Sequence, residues 1–144
     1  MSNTLVEDKL FEKTDFTETL LPKGQYDHSR FIHCNFSGGD LSHIQFSECE
    51  FIDCNLSTVS LVQTAFKDVR FKDCKLQGLH FDNCNDFLFE VAFDNCILNL
   101  SSFYKLKLKK TIFKNSSLQE VDFSESNIEI CYLENGFEKR FDLT

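Results

Sequence analysis

Over most of this chain every fifth residue is large and apolar. From Phe11 the series runs Phe16, Leu21, Tyr26, Phe31, Phe36, Leu41, Phe46, Phe51, Leu56, Leu61, Phe66, Phe71, Leu76 and Phe81. It then slips by two residues and resumes at Leu88, Phe93, Leu98, Phe103, Leu108, Phe113, Leu118, Phe123, Ile128 and Leu133. Thirteen of the seventeen phenylalanines fall on this grid, although Phe and Leu together make up only about a quarter of the chain, so composition alone does not produce it. An α-helix repeats every 3.6 residues or so and a strand alternates its faces, so neither keeps every fifth side chain pointing one way. The chain has to turn once per repeat. Five-residue segments then form the successive sides of a coil, each coil pairing with the next through backbone hydrogen bonds, and the result is a solenoid.

The number of sides follows from the columns, because residues one coil apart stack and resemble one another. A period of twenty does this. With the two-residue slip allowed for, Phe11, Phe31, Phe51, Phe71, Phe93 and Phe113 form an all-Phe column, and Phe16, Phe36, Leu56, Leu76, Leu98 and Leu118 form the next. Two residues before that second column stand Thr14, Cys34, Cys54, Cys74, Cys96 and Ser116, a second inward position reserved for small side chains. Large and small thus alternate within each side, as close packing of a narrow interior requires.

Segments such as Cys34-Asn35-Phe36-Ser37-Gly38, Gly39-Asp40-Leu41-Ser42-His43 and Cys54-Asn55-Leu56-Ser57-Thr58 resemble pentapeptide repeats: a small residue, Asp or Asn, Leu or Phe, Ser or Thr, then any residue. The resemblance extends over roughly Phe11 to Leu133. It implies an all-β fold, a right-handed quadrilateral parallel β-helix with four repeats per coil. Within that family the run from Phe31 to Cys54 is similar to the Qnr-type quinolone-resistance proteins. That likeness implies a protein that binds DNA gyrase or topoisomerase IV where duplex DNA would lie, protecting or inhibiting the enzyme.

Twenty-five grid positions make about six coils, and at the spacing of neighbouring strands these form a rod about 30 Å long. The expected organisation is an N-terminal cap or flexible start over residues 1–10, the β-helix over 11–133 with a two-residue bulge near 84–90, and a C-terminal cap over 134–144. Met1 to Asp8 has no apolar run of a secretory signal, and no segment approaches the length of a membrane span, so a cytoplasmic location is expected. Seven cysteines invite a disulfide or metal reading. However, Cys34, Cys49, Cys54, Cys74, Cys96 and Cys131 all fall on the small inward position, as does Cys84 if the first grid runs on to Asp86, and a buried free Cys acts as a small hydrophobe. No Cys-x-x-Cys pair is present, and neither metal nor cofactor is expected.

Catalysis is not expected either. His28, His33, His43 and His80 fall at outward or turn positions, and Ser and Asp are abundant because the repeat calls for them, so a Ser, His, Asp set has no meaning here. There is no glycine-rich phosphate loop, and a filled rod lacks the concave pocket of an enzyme.

What remains is the outer surface. The chain has 23 acidic and 15 basic residues, a net charge of −8. Residues 31–66 contain Asp40, Glu48, Glu50 and Asp53 with no Lys or Arg, and residues 76–104 contain Asp82, Asp86, Glu90 and Asp94, again with none. Such a surface repels nucleic acid and attracts basic protein surfaces, so the expected partner is a protein, with no direct nucleic-acid or membrane binding. Under the Qnr resemblance that partner is a type II topoisomerase and the rod a DNA mimic. About 30 Å of duplex carries roughly seventeen or eighteen negative charges, twice this chain's net value, so mimicry would be partial or confined to one face. The other reading of the acidity is that it keeps a rod soluble, the chain being an interaction scaffold.

Around the slip, two of the four off-grid phenylalanines, Phe87 and Phe89, sit among Asp86 and Glu90. Either the bulge merely absorbs an insertion, or an outward Phe ringed by carboxylates is a contact point. The candidate partner-binding residues are therefore Asp82, Asp86, Phe87, Glu90 and Asp94, with Asp40, Glu48 and Asp53 upstream. Lys105, Lys107, Lys109, Lys110 and Lys114 crowd one coil as a solvated face, a contact for an acidic partner, or partners for neighbouring carboxylates. Beyond Asn135-Gly136, Phe137 and Phe141 lie at helix-like spacing, so the rod either caps as a monomer or pairs end to end through these two rings.

Overall fold

The computed structural model describes residues 4–108, 110–127 and 132–134, the last three as backbone. Phe137, Phe141, Lys109, Cys131 and all of the expected C-terminal cap but Glu134 lie outside them. The chain coils as a quadrilateral all-β solenoid of about six turns whose strands pair only in parallel. The first wall is built from β1 (Thr4–Glu7), β3 (Gly24–Asp27), β5 (Gln45–Ser47) and β7 (Ala65–Lys67), adjacent in that order. The second is a seven-stranded sheet of β2 (Leu10–Glu12), β4 (Arg30–Ile32), β6 (Glu50–Ile52), β8 (Val69–Lys72), β9 (Val91–Asp94), β10 (Ile112–Lys114) and β11 (Tyr132–Glu134). The third and fourth walls are held by ladders of single bridges, Asp15, Asn35, Asn55, Lys75, Ile97 and Ser117 on the third, and Asp40 with Ser60, then His80, Ser102 and Asp122, on the fourth. Since the walls follow one another around each coil, the fourth stands opposite the second. Among the described residues no helix is long and apolar enough to cross a membrane.

The register is the twenty-residue period, Phe31 opposite Phe51 and Phe51 opposite Phe71, and it becomes twenty-two where Phe71 meets Phe93. Each column of grid residues is a stack. Along the second wall, successive ring centroids from Phe11 to Phe113 are 4.8, 4.7, 5.1, 5.4 and 5.3 Å apart. Rings on adjacent walls meet edge to face, as Phe46 and Phe51 do at 5.2 Å and 75°. Both arrangements suit the quadrupole of the ring.

The small inward residues serve the backbone as well as the packing. The Sγ of Cys49, Cys54 and Cys74 each donates at 3.2 Å to the carbonyl of Tyr26, Phe31 and Phe51, the large residue of the preceding wall one coil earlier. Thr64 and Ser101 hydroxyls do the same for Leu41 and Leu76 at 2.8 and 2.7 Å. The six described cysteines are all buried and unbridged. Burial pushes the Cys49 thiol up to about 11, far from the thiolate form.

The remaining repeat positions make the corner. The Asn35 and Asn55 side-chain oxygens accept the N–H of Ser37 and Ser57 at 3.0 Å, and Asp40 accepts that of Ser42 at 2.8 Å, which is why Asp or Asn precedes the large residue and Ser or Thr follows it. The residue closing the repeat then turns the chain in the left-handed region: His28, His33, His43, Glu48, Asp53, Asp68 and Asp73 all have φ between 51° and 61°. Gly38 and Gly78 occupy the same position at φ 65°.

Two boundaries differ from the sequence reading. The segment 1–10, expected as a cap or flexible start, already contains β1 and part of β2. Thr4 to Glu7 pair residue for residue with Gly24 to Asp27, and Val6, five residues before Phe11, packs against the core. The second difference is at the slip. Leu88, expected inward, is 61% exposed, and Phe89 is buried in its place, its ring edge-on to Phe81 at 6.3 Å. The cause is Asp86. It occupies the grid position five after Phe81, where burial would strand a carboxylate without a partner. The chain therefore leaves the wall after Asn85, which still pairs with Ala65, carries Asp86, Phe87 and Leu88 outside, and returns with Phe89 filling the vacant core site.

Candidate protein-interaction site

The projection stands on the first wall, at its fifth coil. The Phe87 N–H donates to the Asn85 side chain at 2.9 Å, the same turn that closes ordinary repeats. Leu88 takes the left-handed corner conformation at φ 59°. Phe87 is 67% exposed, with Lys67 Nζ 6.0 Å from its ring centroid. Two large apolar side chains thus stand in solvent at the break in register, where the rest of the grid turns such residues inward.

The eight residues singled out in the sequence do not form one patch. Asp86 and Phe87 are on the projection. Glu48 and Glu90 lie on the corner between the first and second walls, Asp53 on the corner between the second and third, and Asp94 on the second wall. Asp40 and Asp82 are on the fourth wall, across the rod. Folding also pairs the upstream acids. Asp40 meets Lys23 at 3.2 Å, Glu48 meets His28 at 2.9 Å, Glu50 meets Arg30 at 3.2 Å, and Asp53 meets His33 at 2.5 Å. Residues 31–66 lack Lys and Arg, yet their partners arrive from the preceding coil. The Ser42 hydroxyl and N–H, with Lys23, hold the Asp40 carboxyl below its ordinary value.

Downstream the acids are differently placed. Asp82 Oδ1 is buried 3.4 Å from His80 Nδ1, without a hydrogen bond of good geometry. Asp86, Glu90 and Asp94 have no ion-pair partner within 4 Å among the described residues: Asp86 is on the projection, Glu90 on the corner that follows and Asp94 on the second wall.

Residues that a linear reading overlooks also surround this corner. Asp68 stacks between Glu48 and Glu90, and Asp73 follows Asp53, its carboxylate accepting from Asn95 at 2.7 Å. Arg70 and Lys72 stand on the second wall between these rows. With Glu50, Glu90, Ala92, Asp94, Lys110, Ile112 and Lys114 they line an open basin of about 480 Å³. The outward positions stack in the same columns as the inward ones, twenty residues apart and twenty-two across the slip, and those columns bring these residues together. Of the five crowded lysines, Leu106 and Leu108 between them are buried as expected, while Lys110 and Lys114 border the basin. No group of three or more His, Cys, Asp or Glu side chains among the described residues is placed to hold a metal ion.

A four-walled solenoid of five-residue turns whose distinctive feature is an outward projection defines a repeat protein that presents its surface. Residues 25–85 match the family described as pentapeptide repeat region. The fold of the chain is similar to that of full-length QnrB1, a plasmid-mediated fluoroquinolone resistance protein, at 17% identity over 96% of this chain and 94% of that one, with a TM-score of 0.45. It is also similar to HetL, a protein involved in heterocyst differentiation regulation in the cyanobacterium Nostoc, at 16% identity over 99% and 85% of the two chains, with a TM-score of 0.26. No curated protein matches the sequence.

Proposed function

We propose that this rod acts by binding a protein through the projection on its first wall, and that the partner is a type II topoisomerase. The observation that carries the binding reading is the exposed pair Phe87 and Leu88, held at a fixed turn and bordered by the unpaired carboxylates Asp86 and Glu90. An apolar anchor with a charged rim is the anatomy of a contact hot spot, and the rim fits a basic surface around an apolar pocket. The choice of topoisomerase rests on the resemblance of residues 31–54 to Qnr-type proteins. Lys23 and Arg30 offset Asp40 and Glu50 upstream, so the overlap with duplex DNA in this reading is local, at the acids around the projection. The rod contributes recognition rather than catalysis.

The test is biolayer interferometry of the purified protein against the DNA-cleaving core of gyrase, with and without linear duplex. Binding that duplex displaces, that weakens steeply with salt, and that is lost in Phe87→Ala/Leu88→Ala supports the proposal. Absence of binding at low salt removes the topoisomerase and leaves a scaffold for a different protein. Binding untouched by the double substitution, or by Asp86→Lys/Glu90→Lys, removes the projection.

A further inference from the structure

The outward columns of the second wall form charge ladders, and one of them has a gap. One residue before each inward ring the sheet presents Arg30, Glu50, Arg70, Ala92 and Ile112 in register. Charge alternates down this column. Glu50 is bound to Arg30 at 3.2 Å, and Arg70 comes next, with no side-chain hydrogen bond or ion pair among the described residues. A carboxylate at the following position would satisfy it, but the residue there is Ala92, whose side chain ends at Cβ. The column one residue after the ring has no such gap: Lys72, Asp94 and Lys114 follow one another in register, so Asp94 lies between two cations. On the adjoining corner Glu90 lies between Asp68 and Lys110.

Ala92 lies in the open basin of about 480 Å³, with Arg70 on one side and the 38% exposed Ile112 on the other. Four cations border it: Arg70, Lys72, Lys110 and Lys114. Of the four carboxylates at its rim, Glu50 is committed to Arg30. Arg70, like Lys72, Lys110 and Lys114, has no ion pair within 4 Å among the described residues; it borders the space over Ala92, and of these cations its planar fork best suits a carboxylate held by two hydrogen bonds.

We propose that the basin over Ala92 is a binding site for a carboxylate, supplied by an acidic side chain in an extended segment of a protein partner, which completes the Arg30, Glu50, Arg70 ladder. The charge called for is the opposite of that expected for the projection on the neighbouring wall, and the site does not depend on the topoisomerase reading. The apolar floor at Ile112 takes the residue next to the acid.

Two experiments test it. The blocked peptide Ac-Ser-Val-Glu-Val-Ser-NH2 and its Gln counterpart are titrated into isotopically labelled full chain while backbone amide resonances are followed. Saturable shifts at Arg70, Ala92 and Ile112 with the Glu peptide alone, in the millimolar range expected of one short contact, support the site. Arg70→Gln should weaken that binding about fivefold or more. Equal response to both peptides, shifts mapping elsewhere, or none up to about 10 mM overturns it. The second experiment supplies the carboxylate from the chain itself. Ala92→Glu should raise the thermal midpoint at low salt above that of Ala92→Gln by about 1–3 °C, a gain that salt reduces and Arg70→Gln abolishes. No gain, or the same gain without Arg70, contradicts the assignment.

Discussion

Replacing Phe51 with alanine tests the column architecture most directly. Its ring is fully buried and stacked on both sides, on Phe31 at 4.7 Å and 9° and on Phe71 at 5.1 Å and 14°. Phe46 and Phe36 meet it edge-on at 5.2 and 5.9 Å. Truncating a buried Phe costs about 3–5 kcal/mol, and favourable ring pairs contribute about 0.5–1.5 kcal/mol each beyond their area, so Phe51→Ala belongs near the top, at about 4–5 kcal/mol. Phe11 heads the same column but is half-buried, with one stacked partner, Phe31 at 4.8 Å, and weaker edge contacts. Phe11→Ala should cost about half as much, roughly 2 kcal/mol, because a solenoid residue is stabilised by its two neighbouring coils and Phe11 has one. Urea unfolding with matched slopes measures both. The reasoning fails if Phe11→Ala costs as much as Phe51→Ala, or if Phe51→Ala costs less than about 2 kcal/mol.

Three further outcomes follow from local geometry. A Cβ on Gly24, at φ 155°, would stand 2.3 Å from the Thr4 carbonyl oxygen, so Gly24→Ala should detach β1 and cost about 1–3 kcal/mol; hydrogen exchange should rise at residues 4–7 while β6 and β8 keep their protection. Leu100 is 62% exposed at φ 67°, so Leu100→Gly removes left-handed strain and should stabilise the chain by about 1 kcal/mol, read as a higher urea midpoint. Asp40 and Asp122 titrate below the ordinary 3.8, mainly because Ser42 and Ser124 hydrogen-bond their carboxylates. A depressed folded value means that their contribution is complete above pH 3.8 and is lost as pH falls through the folded values. Carboxyl NMR should show Asp40 moving back toward 3.8 in Ser42→Ala, with a smaller acid-side loss of stability.

The inward half of the molecule was legible in the sequence because burial is strict. Phe31, Phe46, Phe51, Leu56 and Leu76 have no alternative place for their side chains, and a period of five admits one geometry. The outward half was harder, since its pattern depends on coils twenty residues apart. Asp53 appeared unopposed along the chain, yet His33 lies beside it. Arg70 appeared as one charge in a mixed stretch, and only the register brings it next to Ala92. Leu88 was misplaced because the grid treats every large apolar residue as equivalent. Asp86 decided the matter, since its charge moved the turn outward and left Phe89, three residues later, to complete the core.

The register also sets the unit in which such a chain can change. Adding five residues would rotate everything downstream by a quarter turn, carrying Lys114 off the wall it shares with Arg70 and dispersing every surface column. Adding twenty would lengthen the rod and leave each wall intact. The two extra residues in the fifth coil do neither, because the excess is carried outward at Phe87 and Leu88 and the ladder resumes in phase at Val91. The projection is therefore a place where length varies without rotation, and the region around it can be remodelled while the walls above and below keep facing as they do.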